Sequence, residues 1–200
     1  MILLIECMDM SRLLNPSFRG NLQTRLEKLD DYETFGYDAI ILASAGLIRM
    51  GLSERISEKL PENICLPAVG QGALAVECRE NDERIMNLIG SVNHTSTEIR
   101  CRAERAFMKE MQGGCQVPIG VFTQLIETEG ASDLELRAII LNLDGSRALE
   151  GHSNTQEITI AAAENLGRNL GVELKGKGAA EILNEIFFPR DSEEVTTIAN

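Results

Sequence analysis

Cys115 is the thiol with the widest chemical scope in this 200-residue sequence. It sits in Gly113-Gly114-Cys115-Gln116-Val117-Pro118-Ile119-Gly120, a loop composition that lets backbone come close to a bulky partner. It follows a predicted helix C-terminus, where the helix dipole is negative and does not favour a thiolate. With no cation beside it, its pKa should stay near the usual value of about 8.5. That weakens a redox or protease role. It leaves attachment to a strongly electrophilic partner open. The alternative is a small apolar side chain buried in a tight turn, as free cysteines commonly are.

The arginines are the second chemical feature. Arg19 precedes a predicted helix N-terminus, whose free N–H groups also attract anions. Arg25 lies further along that helix, and Arg49 and Arg55 follow the next strand. Guanidinium forks bind carboxylates in pairs of charge-assisted hydrogen bonds, each contributing roughly 1.5–3 kcal/mol. Several forks together could hold a ligand with many carboxylates. The competing reading is of surface charges paired with the abundant Asp and Glu. His94 and His152 lack the spacing of a metal pair. Gly70-Gln71-Gly72 is only a fragment of a dinucleotide fingerprint. There is no Ser-His-Asp order and no P-loop.

The elements that must position these residues read as an α/β chain. Asn21 is a helix N-cap, followed by Leu22, Leu26 and Leu29 at helical spacing. Residues 37–43 read as a short buried strand. A helix spans 45–50 and closes at Gly51, and another runs from Ser53 to Leu60. Residues 66–73 hold one proline and two glycines and read as a crossover between domains. A strand follows over 74–78, then a helix capped by Asn81 and ending near Gly90. Thr95 and Glu98 fit a capping box for a helix to about Gln112, with Ile99, Ala103, Ala106, Phe107 and Met111 on its apolar face. Three strands follow over 117–126, 134–143 and 146–152, the last two joined at Asp144-Gly145. Helices over 156–170 and 178–187 complete a small domain with a three-stranded antiparallel sheet. Residues 8–14 suggest a helix ended by Asn15-Pro16-Ser17, and the tail from Arg190 reads as loose.

Composition narrows the function. The formal charge of −12 lacks the basic footprint of nonspecific nucleic-acid binding. The apolar run at residues 1–5 is too short for a membrane span or a signal peptide. The five cysteines form no CxxC pair, so a disulfide framework or zinc site is not expected, and the compartment reads as reducing and cytoplasmic.

The run Glu104-Arg105-Ala106-Phe107-Met108-Lys109-Glu110-Met111-Gln112-Gly113-Gly114-Cys115-Gln116-Val117-Pro118-Ile119-Gly120 resembles the signature of the porphobilinogen deaminase (hydroxymethylbilane synthase) family. Three more segments agree in order. They are Arg19-Gly20-Asn21 with Thr24-Arg25-Leu26, then Tyr37 to Ala43 through Gly46-Leu47, then Leu66 to Gly72. The resemblance spans about residues 19 to 188. It implies a partial periplasmic-binding-protein-like α/β domain to residue 66, which is the later part of domain 2. A hinge and return segment of domain 1 follows over 67–93, then a C-terminal cofactor-attachment domain over 94–190 and a tail over 191–200. It implies a dipyrromethane cofactor joined by a thioether to Cys115, with Arg19, Arg25 and Arg49 on its acetate and propionate arms and Arg55 a weaker candidate. Ala43 and Gln71 match positions that approach the cofactor. The implied reaction joins four porphobilinogen molecules into hydroxymethylbilane with release of ammonia. The partners would be porphobilinogen and the growing oligopyrrole, the protein would be a monomer, and no metal is implied.

The sequence departs from the family in one large respect. Most of the family's first domain has no counterpart here, and with it go the catalytic aspartate and the paired arginines that precede the segment matching Arg19. A truncated reading frame or a mis-called start is the expectation, so these 200 residues alone should have little or no deaminase activity. The alternative is a non-catalytic remnant that binds pyrroles or a partner protein. A thiol-dependent redox protein has less support, because no paired or activated cysteine is visible.

Overall fold

The computed structural model describes residues 2–4, 20–112, 117–128 and 131–187. The proposed helix over 8–14, Arg19, Cys115 and the tail lie outside the described residues. The chain divides into two compact units. One comprises residues up to 67 with 71–75; the other comprises 68–70 with residues from 76 onward.

In the N-terminal unit, strand β1 (Ile2–Leu4) pairs antiparallel with β2 (Leu42–Ala43) on one side and β3 (Glu58–Leu60) on the other. Helix α1 (Leu22–Asp30) begins at Asn21, whose side-chain oxygen accepts from the Thr24 N–H at 2.8 Å, as the sequence predicts. Helices α2 (Tyr32–Phe35) and α3 (Ser44–Arg49) are short. Leu26, Ile40, Leu42 and Leu47 form the core, flanked by Leu22, Leu29, Leu52 and Ile56.

Three expectations fail between residues 37 and 78. Residues 37–43 are largely buried, but only Leu42–Ala43 pair as strand. The predicted helix from Ser53 to Leu60 is instead one tight turn at Ser53–Arg55 followed by β3. An eight-residue helix has a costly nucleus, and strand pairing with β1 supplies the same backbone bonds. The predicted strand over 74–78 is also absent: residues 71–80 are exposed, and a strand without a neighbour has nothing to bond.

The C-terminal unit holds the larger core. Helix α4 (Glu83–Gly90) is capped by Asp82, which accepts from the Ile85 N–H at 3.2 Å; the predicted cap, Asn81, sits one residue earlier at φ +64°. Helix α5 (Thr95–Glu110) begins at Thr95 itself, so the expected capping box does not form. Glu98 turns back to accept from the Asn93 side chain at 2.6 Å and from Arg102 at 3.3 Å. Strands β4 (Ile119–Thr128), β5 (Ala131–Leu141) and β6 (Ala148–Thr155) form the predicted antiparallel sheet, with Val121 opposite Ala138 and Ala138 opposite Gly151. The β5–β6 turn is longer than a two-residue hairpin. It runs from Asn142 to Arg147, with Gly145 at φ +71°.

Helix α6 (Ile160–Leu174) starts after Thr159, whose hydroxyl accepts from the Ala162 N–H at 3.1 Å. It passes through a wide turn at Lys175–Ala179 into α7 (Ala180–Phe187). One face of the sheet (Val121, Leu134, Leu136, Ala138, Ile140) packs on Ile99, Ala103 and Phe107 of α5, on Met111 at its C-cap, and on Ala163, Leu166, Leu170 and Leu174 of α6. The α5–α6 crossing is close. A Cβ on Gly167 would lie 2.1 Å from the Ala103 carbonyl oxygen, so only glycine fits there.

Candidate cofactor site

Arg25 sits one turn into α1, and its Nε donates to the Gly20 carbonyl at 3.0 Å. Gly20, at φ +135°, lets the chain fold back over the first turn of α1; a Cβ there would meet Thr24 at 3.0 Å. The guanidinium is thereby tied to the start of α1, where first-turn amides add partial positive charge. Ala43 is the N-cap of α3, with extended backbone and no side chain to bond. Arg49 is the last residue of α3, and Nη2 reaches the Gly72 carbonyl at 3.4 Å. Gly72 follows Gln71, so the fold brings Arg49 to the crossover that carries the predicted glutamine. Gln71 is exposed, between Gly70 at φ +69° and Gly72 at φ +84°. Left-handed dihedrals of this kind favour glycine at both positions.

Arg55 behaves differently. Its two terminal nitrogens donate to both oxygens of Asp30, at 3.3 and 2.5 Å. This is the surface-pair arrangement that the competing reading of the arginines expects. Arg19 and Cys115 lie outside the described residues. Of the described cysteines, burial pushes the Cys65 thiol up. Burial, reinforced by the Glu104 carboxylate, raises Cys101 against Arg100 and Arg105. Neither is an activated nucleophile. Among the described residues no group of three His, Cys, Asp or Glu is placed to hold a metal. No helix among them is long and apolar enough to cross a membrane.

The sequence did not single out a buried polar knot in the C-terminal unit. Glu104 on α5 is only 7% exposed. Oε2 accepts from the Gly70 backbone N–H at 2.7 Å, and Oε1 accepts from the Thr123 hydroxyl at 2.5 Å. Arg100 Nε donates to that hydroxyl at 3.2 Å. The available signal was an acid directly beside the apolar stripe of Ile99, Ala103 and Phe107, but its partners are remote in sequence.

A two-unit α/β chain, with Arg25 at the start of α1, Arg49 beside Gly72 and a three-stranded antiparallel sheet packed on helices in the second unit, defines the class. Two family models match it in succession. Residues 8–87 match the model described as "Porphobilinogen deaminase, dipyromethane cofactor binding domain", and residues 98–176 match "Porphobilinogen deaminase, C-terminal domain". The chain belongs to the porphobilinogen deaminase family. It is 46% identical over 169 residues to a porphobilinogen deaminase of Prochlorococcus marinus (strain NATL1A), covering 84% of this chain and 50% of that protein. It is 49% identical over 177 residues to one of Gloeobacter violaceus, covering 88% and 51%. It is 48% identical over 169 residues to one of Synechococcus sp. (strain CC9311), covering 84% and 50%. The chain thus spans about half the length of the curated relatives it matches.

Proposed function

We propose that this chain is the later portion of an enzyme that joins four porphobilinogen molecules into hydroxymethylbilane, releasing ammonia and using a dipyrromethane primer held as a thioether on Cys115. The observation that carries this reading is the ordered match to a cofactor-binding domain model and then a C-terminal domain model of one family. Dipyrromethane bears several carboxylates, and it supplies the covalent primer on which the chain is extended. Arg19, Arg25 and Arg49 would neutralise those arms, with Ala43 and Gln71 close to the rings. The described donors suit such a group: Arg25 lies at a helix start, and Arg49 is exposed beside Gly72.

The finer domain assignment belongs to the same proposal. Residues to 66 would form part of a periplasmic-binding-protein-like domain, 67–93 a hinge and return segment of domain 1, and 94–190 the attachment domain. Leu74, Val76, Met86, Leu88 and Val92 are at least half exposed, which supports a segment that packs on further α/β structure. The protein would act as a cytoplasmic monomer. A polypeptide of these 200 residues would turn over porphobilinogen little, since the family's aspartate has no counterpart among them and a lost preorganised group can cost roughly 100- to 1000-fold in rate.

Intact mass after expression in cells tests attachment. The expected result is a dipyrromethane increment that disappears in Cys115→Ser. An unmodified thiol would overturn the cofactor assignment and favour the second reading, a non-catalytic remnant. Rapid product formation in a porphobilinogen turnover assay would refute the low activity expected of this polypeptide.

A further inference from the structure

We propose that Glu104 is a positioning residue: its buried carboxylate fixes the Gly70 backbone and, through it, the point from which Gln71 projects. The role given to Gln71 rests on the cofactor reading above.

Glu104 lies beside the buried stripe of α5 and is itself buried. A buried carboxylate is costly unless it is hydrogen-bonded, and a charge in such a place is held by specific donors. Here each oxygen has a different one. Oε1 takes the Thr123 hydroxyl. That hydroxyl already accepts from Arg100, so its proton is directed to Glu104. This fixes one side of the carboxylate against β4 and leaves Oε2 aimed at the Gly70 N–H, 34 residues earlier in the chain. Val69, the preceding residue, packs against the core of the same unit. Segment 68–70 is therefore held twice, by an apolar side chain and by an amide, whereas residues 71–80 are exposed. No atom lies within 4 Å of a Cβ built on Gly70, so what favours glycine there is its φ of +69° and not crowding. That dihedral belongs to the backbone that presents the amide to Glu104.

The test compares Glu104→Gln and Glu104→Met in the full chain by amide hydrogen exchange and intact mass. Gln keeps an acceptor for Gly70 without the charge, and Met keeps the length of the side chain without an acceptor. Gly70 protection should fall in the order Glu, Gln, Met. The loss in Met should be about 10- to 150-fold, as expected for a hydrogen bond to a charged acceptor. Amides of β5 should change by less than about twofold, which would show that the fold is intact. If Met unfolds the unit, the Glu-to-Gln comparison decides in the same way. Gly70 protection that is unchanged, or that moves only in step with β5, overturns the proposal. So does adduct loading on Cys115 that is present in the parent and equally high in a folded Met variant. A parent without adduct but with the predicted Gly70 response would leave the clasp supported and sink the cofactor reading instead.

Discussion

Replacing Gly167 with alanine should destabilise the C-terminal unit by about 2 kcal/mol or more, against the usual trend for helices. On an exposed helix the change would gain up to ~1 kcal/mol, because glycine is the poorer helix former. At this position the new Cβ would lie 2.1 Å from the Ala103 carbonyl oxygen and 2.9 Å from the Phe107 nitrogen. Both are backbone atoms of α5, so no rotamer change relieves the overlap. Helix α6 would have to retreat by about 1 Å to restore ordinary van der Waals contact. That retreat would loosen Ala163, Leu166, Leu170 and Leu174, all within 5% of full burial. Overpacking of this kind costs about 1–3 kcal/mol and sometimes more. Urea unfolding followed by far-UV circular dichroism would report it, as a midpoint lower by about 1 M at a typical slope of about 1–3 kcal/mol per molar. Tyrosine fluorescence would not serve, because both tyrosines, Tyr32 and Tyr37, belong to the other unit. Gly176→Ala is the control: Gly176 is exposed and open around its Cβ, and the change should be neutral or stabilising by up to ~1 kcal/mol. A Gly167→Ala midpoint equal to or above the parent's would refute the close-crossing argument.

Other expectations follow from the same geometry. Asn21→Ala removes the cap of the helix that carries Arg25; at a cost of ~1 kcal/mol, Thr24 amide exchange should rise about fivefold. The Ser146 hydroxyl and then its backbone N–H hold Asp144 below the usual aspartate range. A depressed folded pKa contributes stability above the unfolded pKa that is lost as pH falls through the folded one. Carboxyl NMR titration should therefore place the Asp144 midpoint below an ordinary aspartate's and move it upward in Ser146→Ala. Arg49→Gln should reduce dipyrromethane loading with little change in stability. Arg55→Gln should leave loading intact and lower stability by at most ~1 kcal/mol, since the pair with Asp30 is solvent-screened; a loading defect in Arg55→Gln alone would contradict this division.

What the sequence made legible depended on how local the cause was. The C-terminal sheet, α5 and α6 announced themselves because alternating residues in β5 and the 99-103-107 stripe in α5 face one core. Asn21 was readable as a cap because its partner, Thr24, is three residues away. The segment 53–60 was misread because its apolar spacing suits a helix, while the pairing that makes it a strand lies more than fifty residues upstream in β1. The box at Thr95 failed by one register step. The motif fits the letters, but Asn93 competes for the Glu98 carboxylate.

The site was legible in its residue types and not in their partners. Arg49 and Arg55 look alike in the sequence, six residues apart. Only the fold separates them, by setting Asp30 against one and the Gly72 carbonyl against the other. Glu104 makes the same point in the opposite direction. Within a helical run it reads as an ordinary surface acid next to an apolar face, yet it is buried because Thr123 and Gly70 converge on it from 19 and 34 residues away. A carboxylate that loses water must find donors of comparable strength nearby. Here those donors come from β4 and from the crossover beside Gln71. The polar knot therefore ties the Gly70 backbone to α5 and β4 within the C-terminal unit.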